Sequence, residues 1–249
     1  MIDQLRILAR QVLPLSTRRA IIRYTRWPPV RVVWFGSLRR IRPISPYWGW
    51  ERGLPIDRYY IANFLGFHSE DVHGHVLEIG DNMYTVKYGG DKVIQSSVLH
   101  VAEQKEFVTI IGDLTNAENI PSNTFDCLIV TQTLQAIYEV EASIRTIYRI
   151  LKPGGICLAT VPGISKISRY DMDRWGYYWS FTTQSIRKLF ETVFPGNGLQ
   201  VNAYGNVLAS IAFLHGLATS ELRKKELDYL DPDYELLITI RAQKPVEGR

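Results

Sequence analysis

The densest run of chemically capable side chains lies late in the chain: Arg169-Tyr170-Asp171-Met172-Asp173-Arg174-Trp175-Gly176-Tyr177-Tyr178-Trp179-Ser180-Phe181-Thr182. Six of these fourteen residues are aromatic, and aspartates and arginines are set among them. Aromatic faces beside carboxylates and guanidinium groups suit a sugar ring, which offers apolar C–H faces and a hydroxyl edge. Arg174, Trp175, Tyr177 and Trp179 therefore read as substrate contacts. Asp171 and Asp173 are the nearest carboxylates able to take a hydroxyl proton. The plainer reading makes the rings a cap on the fold, pairs Asp171 with Arg169 and Asp173 with Arg174 at the surface, and uses Ser180 or Thr182 to cap the next helix. Earlier, Thr131-Gln132-Thr133-Leu134-Gln135 places two amides together; Gln132 and Gln135 can orient a substrate but cannot accept a proton near neutral pH. The five histidines show no metal-ligand spacing, and no metal is expected. His215 sits in an apolar run and reads as a core histidine. Cys127 and Cys157 are too few for a disulfide framework and read as small core residues.

These groups need a scaffold, and the sequence between residues 56 and 241 supplies a regular one. Apolar spacing gives a helix over 56–67, then short apolar strands at 76–80, 98–101, 107–111 and 125–130. A helix over 141–151 stops at Pro153-Gly154-Gly155, and a fifth strand follows at 156–161. A helix over 183–194 precedes a final strand pair at 199–204 and 235–241. Strands apolar throughout, alternating with helices, indicate a parallel sheet covered on both faces.

Of 249 residues, 46% are hydrophobic and 12% aromatic, which excludes a disordered chain. No run approaches the roughly 20 apolar residues of a membrane span, and the start lacks a signal-peptide core, so the cytoplasm is the expected compartment. The net charge of +4 hides an asymmetry: residues 1–42 hold ten arginines and one acid, Asp3, giving +9 there and −5 over 43–249. Residues 1–53 are read as a basic aromatic arm and linker, and 54–249 as the domain. Apolar residues at helical spacing precede Pro14, and Pro28-Pro29 end a second helix near Trp27. Arginine interleaved with Trp27, Trp34 and Phe35 fits an anionic membrane surface, putting the protein at the inner face of the membrane. Packing of the arm or of Trp48-Gly49-Trp50 on the domain is the competing reading; nucleic acid is a distant third.

The stretch IPSNTFDCLIVTQTLQAIYEVEASIRTIYRILKPGG, residues 120–155, resembles the class I S-adenosylmethionine-dependent methyltransferases, in particular their broad "type 11" group. The resemblance spans roughly residues 56–244. It implies a Rossmann-like α/β fold with a seven-stranded, mainly parallel sheet and an antiparallel last strand. It also implies S-adenosylmethionine as cofactor, held by the turn Glu78-Ile79-Gly80-Asp81-Asn82-Met83-Tyr84. Where such proteins carry further glycines, this chain has Asn82 and Tyr84; Asn82 can preserve the turn because asparagine tolerates positive φ. By the same resemblance Arg58 faces the cofactor carboxylate, His100 stands in for the usual ribose-binding acid, Asp113 and Leu114 lie near the adenine, and Thr131 ends strand four at the crevice. At the head of the following helix, where relatives often show His or Glu, stand Gln132 and Gln135.

The expected function is methyl transfer to an oxygen of a sugar or lipid-linked glycan. The rival reading follows from Tyr84 and the absent strand-two acid: a domain that kept the fold, lost the cofactor and serves as a non-catalytic partner, or runs another group transfer, in glycan biosynthesis.

Overall fold

A computed structural model describes residues 13–25, 28, 32–102 and 106–246. They fall into two units, residues 1–42 and 43–249. The first contains helix α1 (Leu15–Thr25) and a 3-10 turn at Gly36–Leu38. The apolar run before Pro14 and Trp27 lie outside the described residues.

The second unit is built on β1 (Gly74–Ile79), β2 (Val93–His100), β3 (Ile110–Ile111), β4 (Phe125–Thr131), β5 (Leu151–Pro162), β6 (Leu199–Tyr204) and β7 (Leu237–Gln243). They form one sheet in the order β3-β2-β1-β4-β5-β7-β6. Every pairing from β3 through β5 is parallel, and β7 runs antiparallel to both β5 and β6. This is the expected α/β architecture. Because strand side chains alternate between faces, the apolar central strands feed two separate cores. Leu77, Leu128, Val130, Cys157 and Ala159 point to one, under α3 (Val140–Ile150) and α5 (Thr183–Glu191). Val76, Cys127, Ile129 and Leu158 point to the other, under α2 (Ile56–Phe67) and α6 (Val207–His215). Both cysteines are free and buried. The short helices α4 (Arg169–Met172) and α7 (Lys224–Leu227) lie in connections.

Local chemistry sets the helix ends. Pro55 precedes α2, and the α2 stripe Ile56, Tyr60, Ile61, Phe64 and Leu65 is buried. Thr182 and Ser185 form a reciprocal capping box at the start of α5, as the capping alternative required. Several boundaries differ from the sequence expectation. The helix expected over 183–194 ends at Glu191, and Phe194 packs in the core from the turn before Pro195. Strand three is only two residues long, because it is the sheet edge and Phe107 is exposed in a turn. Lys152-Pro153-Gly154-Gly155 does not separate helix from strand: α3 ends at Ile150, and β5 begins at Leu151 with an irregular register opposite Phe125 and Cys127.

Residues 43–53, read from sequence as linker, belong to the second unit. The Ile44 and Ser45 amides both donate to the His215 carbonyl, Ser45 is fully buried, and Trp48 packs on the second core. The seat is Gly216, which ends α6 at φ +70; a Cβ there would strike the Ser45 backbone. Gly216→Val should cost about 2 kcal/mol or more through left-handed strain plus that clash. The expected readout is a lowered Tm together with altered tryptophan fluorescence as Trp48 leaves its packing.

Candidate active-site cleft

Strand order reverses between β1 and β4, and ligands of open α/β sheets bind beyond the carboxyl ends of strands at such a point. A cleft of about 970 Å³ opens there. Its floor is the ends of β1 to β4, carried outward by short backbone bonds: Gly80 N–H to Leu99 O (3.0 Å), Gly112 N–H to His100 O (3.0 Å) and Gln132 N–H to Thr160 O (2.9 Å). Its roof comes from residues 47–50 and 165–178.

The turn after β1 explains which motif residues face the cleft. Glu78 is buried under the turn and accepts from Thr85 N–H (2.7 Å), Thr85 Oγ1–H (2.7 Å) and Tyr84 N–H (3.2 Å). Burial pushes its carboxyl up to about 7, against the opposing pull of those donors. Glu78 thus braces the turn and does not line the cleft. Gly80 sits at φ +89, and a Cβ there would meet nothing within 4 Å, so bare backbone faces open space. Asp81 Oδ1 accepts from Met83 N–H (2.9 Å), and both residues line the cleft. Asn82 corrects the sequence reading: its φ is not positive, and its carbonyl instead accepts from Val86 N–H (3.0 Å), opening the helical turn that follows. It lies outside the cleft lining. Tyr84 is helical at φ −75, which removes the need for glycine. Its ring stacks toward Tyr88 (6.2 Å between centroids), and its hydroxyl accepts from Arg58 Nη1–H (3.1 Å). Tyr84 is thus part of the wall of a cleft that remains open.

Along the floor lie His100, Asp113, Leu114 and Thr131. Asp113 Oδ1 caps Thr115 N–H (2.8 Å). Gln132 adopts φ +48, a strained conformation for a side chain of its kind and one typical of functional turns. Gln135 is 7% exposed, and its Nε2 donates to Gln132 O (2.7 Å) while its Oε1 has no partner.

The roof divides the aromatic segment. Asp171, Arg174, Trp175 and Tyr177 face the cleft; Asp173 and Trp179 do not. Asp173 is exposed at the end of α4, where its N–H closes the turn on Arg169 O (3.0 Å). Trp179 anchors the segment: its Nε1–H donates to Ile137 O (3.0 Å), and the Tyr178 and Trp179 amides share Gln135 O. Phe181 is buried in the first core. Neither Asp171 nor Asp173 forms an ion pair among the described residues, so the surface-pair alternative fails for both. The Trp175 ring meets His100 edge-on at 5.4 Å, spanning from roof to floor.

Sequence reading missed Asp57, Tyr47 and Lys166, which also line the cleft. The Lys166 ammonium lies 3.6 Å from the Trp48 ring centre and bonds Pro46 O, fastening the two halves of the roof. Trp48-Gly49-Trp50 was the available signal, and both tryptophans do cover the cleft. Among the described residues, no acidic, histidine or cysteine cluster could hold a metal.

With that geometry in hand, residues 76–159 match the family model described as "Methyltransferase domain". The "Ubiquinone/menaquinone biosynthesis C-methyltransferase UbiE" of Enterobacter sp. (strain 638) is 28% identical over 151 residues, 49% of this chain and 60% of that protein. The protein of the same description from Haemophilus ducreyi is 35% identical over 69 residues, 25% of this chain and 27% of that one. The chain therefore spans about 60% of the length of the first of these relatives. Among solved structures, a "putative sarcosine dimethylglycine methyltransferase" from Galdieria sulphuraria superimposes with a TM-score of 0.50 at 12% identity, over 76% of this chain and 85% of that one, a likeness of fold. The match to the methyltransferase-domain model thus runs from β1 into β5, the parallel strands whose ends bound the cleft.

Two outcomes follow for the β1 turn. Because Glu78 binds its proton more tightly folded than unfolded, its contribution to stability is complete below pH 4.5 and is lost as pH rises through about 7. Glu78→Gln should flatten the dependence of Tm on pH over that window. Glu78→Ala should cost about 2–3 kcal/mol at acidic pH by leaving the Thr85 and Tyr84 donors buried and unpaired.

Proposed function

We propose that the cleft binds S-adenosylmethionine and directs its methyl group to a hydroxyl of a sugar-like acceptor. The cradle fits the cofactor: Gly80 lets backbone approach the methionine part, Arg58 can pair with its carboxylate, and His100, Asp113 and Leu114 line the place for ribose and adenine. When bound, the cofactor supplies a methyl group on a positively charged sulfur that leaves readily. The protein's part is to align the acceptor and exclude water. The observation that carries the acceptor class is a pair of unmet acceptors in the cleft wall: Asp57 Oδ1 and Gln135 Oε1 are buried with no partner. Buried acceptors call for donors, and a hydroxyl-bearing ligand between aromatic walls provides them. The curated relatives named above are C-methyltransferases of quinone biosynthesis, so a carbon acceptor is the comparison arm of any substrate screen.

A second reading, cofactor loss, draws on one observation: no carboxylate stands at the end of β2, and Trp175 covers His100 there. Calorimetry with S-adenosylhomocysteine separates the two. The methyl-transfer reading expects saturable binding that weakens about tenfold in Arg58→Met, the loss of one charge-assisted contact. No heat of binding at about 1 mM leaves the domain as a non-catalytic partner.

We also propose that residues 1–42 draw the protein to an anionic bilayer. Among the described residues, no helix is long and apolar enough to cross one. The segment instead combines its +9 charge with Trp34, 90% exposed, and the fully exposed Ile41 beside Arg39, Arg40 and Arg42. Each basic residue contributes about 1 kcal/mol near such a surface. Cosedimentation with anionic vesicles should be strong for the whole chain, fall steeply with salt, and vanish for a chain beginning at Pro43. Neutral vesicles should pellet neither. Equal behaviour of the two chains on anionic vesicles excludes the surface role.

A further inference from the structure

Several carboxylates lie in or just beneath the cleft, and most are already employed. Glu78 braces the β1 turn, Asp81 and Asp113 cap backbone amides, and Glu139 is exposed at the head of α3. Asp171 sits on the four-residue α4, where its backbone carbonyl gathers the Arg174, Trp175 and Gly176 amides. Asp57 differs from all of them. It stands in the first turn of α2, whose apolar stripe is fixed in the second core, so its position is rigid. Its side chain is buried, one oxygen has no hydrogen-bond partner, and the other lies 3.6 Å from Arg58 Nε.

We infer that Asp57 is the general base of the transfer, taking the proton of the acceptor hydroxyl; this rests on the methyl-transfer reading above. The acceptor O–H bond gives its proton to the Asp57 carboxylate as the oxygen–methyl bond forms and the methyl–sulfur bond breaks. The sulfonium becomes a neutral thioether, and the new carboxylic acid later releases its proton to water.

The surroundings suit that task. Burial raises the Asp57 carboxyl above the ordinary aspartate range, which makes the carboxylate a stronger base, while Arg58 and the α2 backbone pull the other way. Arg58 is itself held by the Tyr84 hydroxyl on the β1 turn. Burial raises the Tyr177 hydroxyl of the roof too, with the charges of Asp171 and Asp57 acting in the same direction and Ser165 opposing them. Phe213 of α6 and Leu237 of β7 line the same cleft without adding charge. A base therefore sits on a rigid helix in the wall of a cleft that Gln135 also lines.

The test compares wild type, Asp57→Asn and Asp57→Glu. S-adenosylhomocysteine calorimetry comes first. Binding by the wild type with affinity kept within about threefold in Asp57→Asn separates base from cofactor contact. Radiolabelled methyl transfer is then followed with glycerol and a panel of nucleotide sugars as acceptors. Asp57→Asn should lower kcat about 10²–10³-fold with little change in KM and abolish the acidic limb of the kcat–pH profile. Asp57→Glu should restore part of both.

Stability gives a readout independent of turnover. A carboxyl with raised folded pKa loses its stabilising contribution as pH rises through that pKa, so Asp57→Asn should be the more stable protein at pH 8. A wild type that binds no S-adenosylhomocysteine sinks the methyl-transfer reading and this inference with it. Binding by the wild type accompanied by unchanged kcat in Asp57→Asn, or by no transfer to any of these acceptors, overturns the base alone. So does an Asp57→Asn that is less stable at every pH, which would make the carboxylate a structural anchor of α2.

Discussion

Burial of β1, β4 and β5 on both faces is the constraint from which the rest follows. With Val76, Leu77, Cys127, Leu128, Ile129, Cys157 and Leu158 fully buried, the middle of the sheet leaves a polar group little access to solvent or ligand. Chemistry is thereby expelled to the strand ends. The reversal of strand order between β1 and β4 opens a single crevice there, with backbone groups already aimed outward by the ladder itself. Gly80, Gly112 and Gln132 occupy the cleft floor because they are the first residues past that constraint.

The two sides of the cleft are built by different means. The floor is backbone geometry, stiffened by Glu78 from beneath and by Asx-type turns at Asp81 and Asp113. The roof is side chains: Lys166 on Trp48, Arg174 on Tyr170 at 3.6 Å, Trp175 on His100. A floor of backbone bonds suits an invariant cofactor, whereas a roof of stacked rings and cations can be re-cut for different acceptors without disturbing the sheet.

Sequence reading went far on the sheet because periodicity encodes burial. The α2 helix and β6 came out with their bounds intact, and the FD…LKPGG run was enough to suggest the family. Boundaries failed where local signals compete with tertiary context. Pro153-Gly154-Gly155 looks like a helix stop, yet α3 has already ended and those residues bulge out of the β4 pairing and bond to Lys244. Within the cleft, the floor residues were legible because a turn after a strand has few places to go. Asn82 was misread since a helical N-terminus, like a left-handed turn, also accepts asparagine. Asp57 escaped notice because an acid in the first turn of a helix is ordinary in sequence. Only the fold shows that this one is buried in the wall of the cleft. Asp173 and Trp179 misled for the complementary reason: residues two to four apart in an irregular loop need not share a side.

The seating of residues 43–53 on the end of α6 also bears on the order in which the molecule can assemble. Tyr47, Trp48 and Trp50 are made before the parallel strands, but their support, residues 215–218, emerges after them. The sheet itself closes only when β7, the final strand, inserts between β5 and β6. Such distant pairings form slowly, because the intervening chain must be ordered before they are rewarded. The cleft floor can exist as soon as β1 to β5 have paired, whereas the roof residues 47–50 are seated only once residues 215–218 are in place. A floored but unroofed cleft is therefore an earlier state of this fold than the finished one.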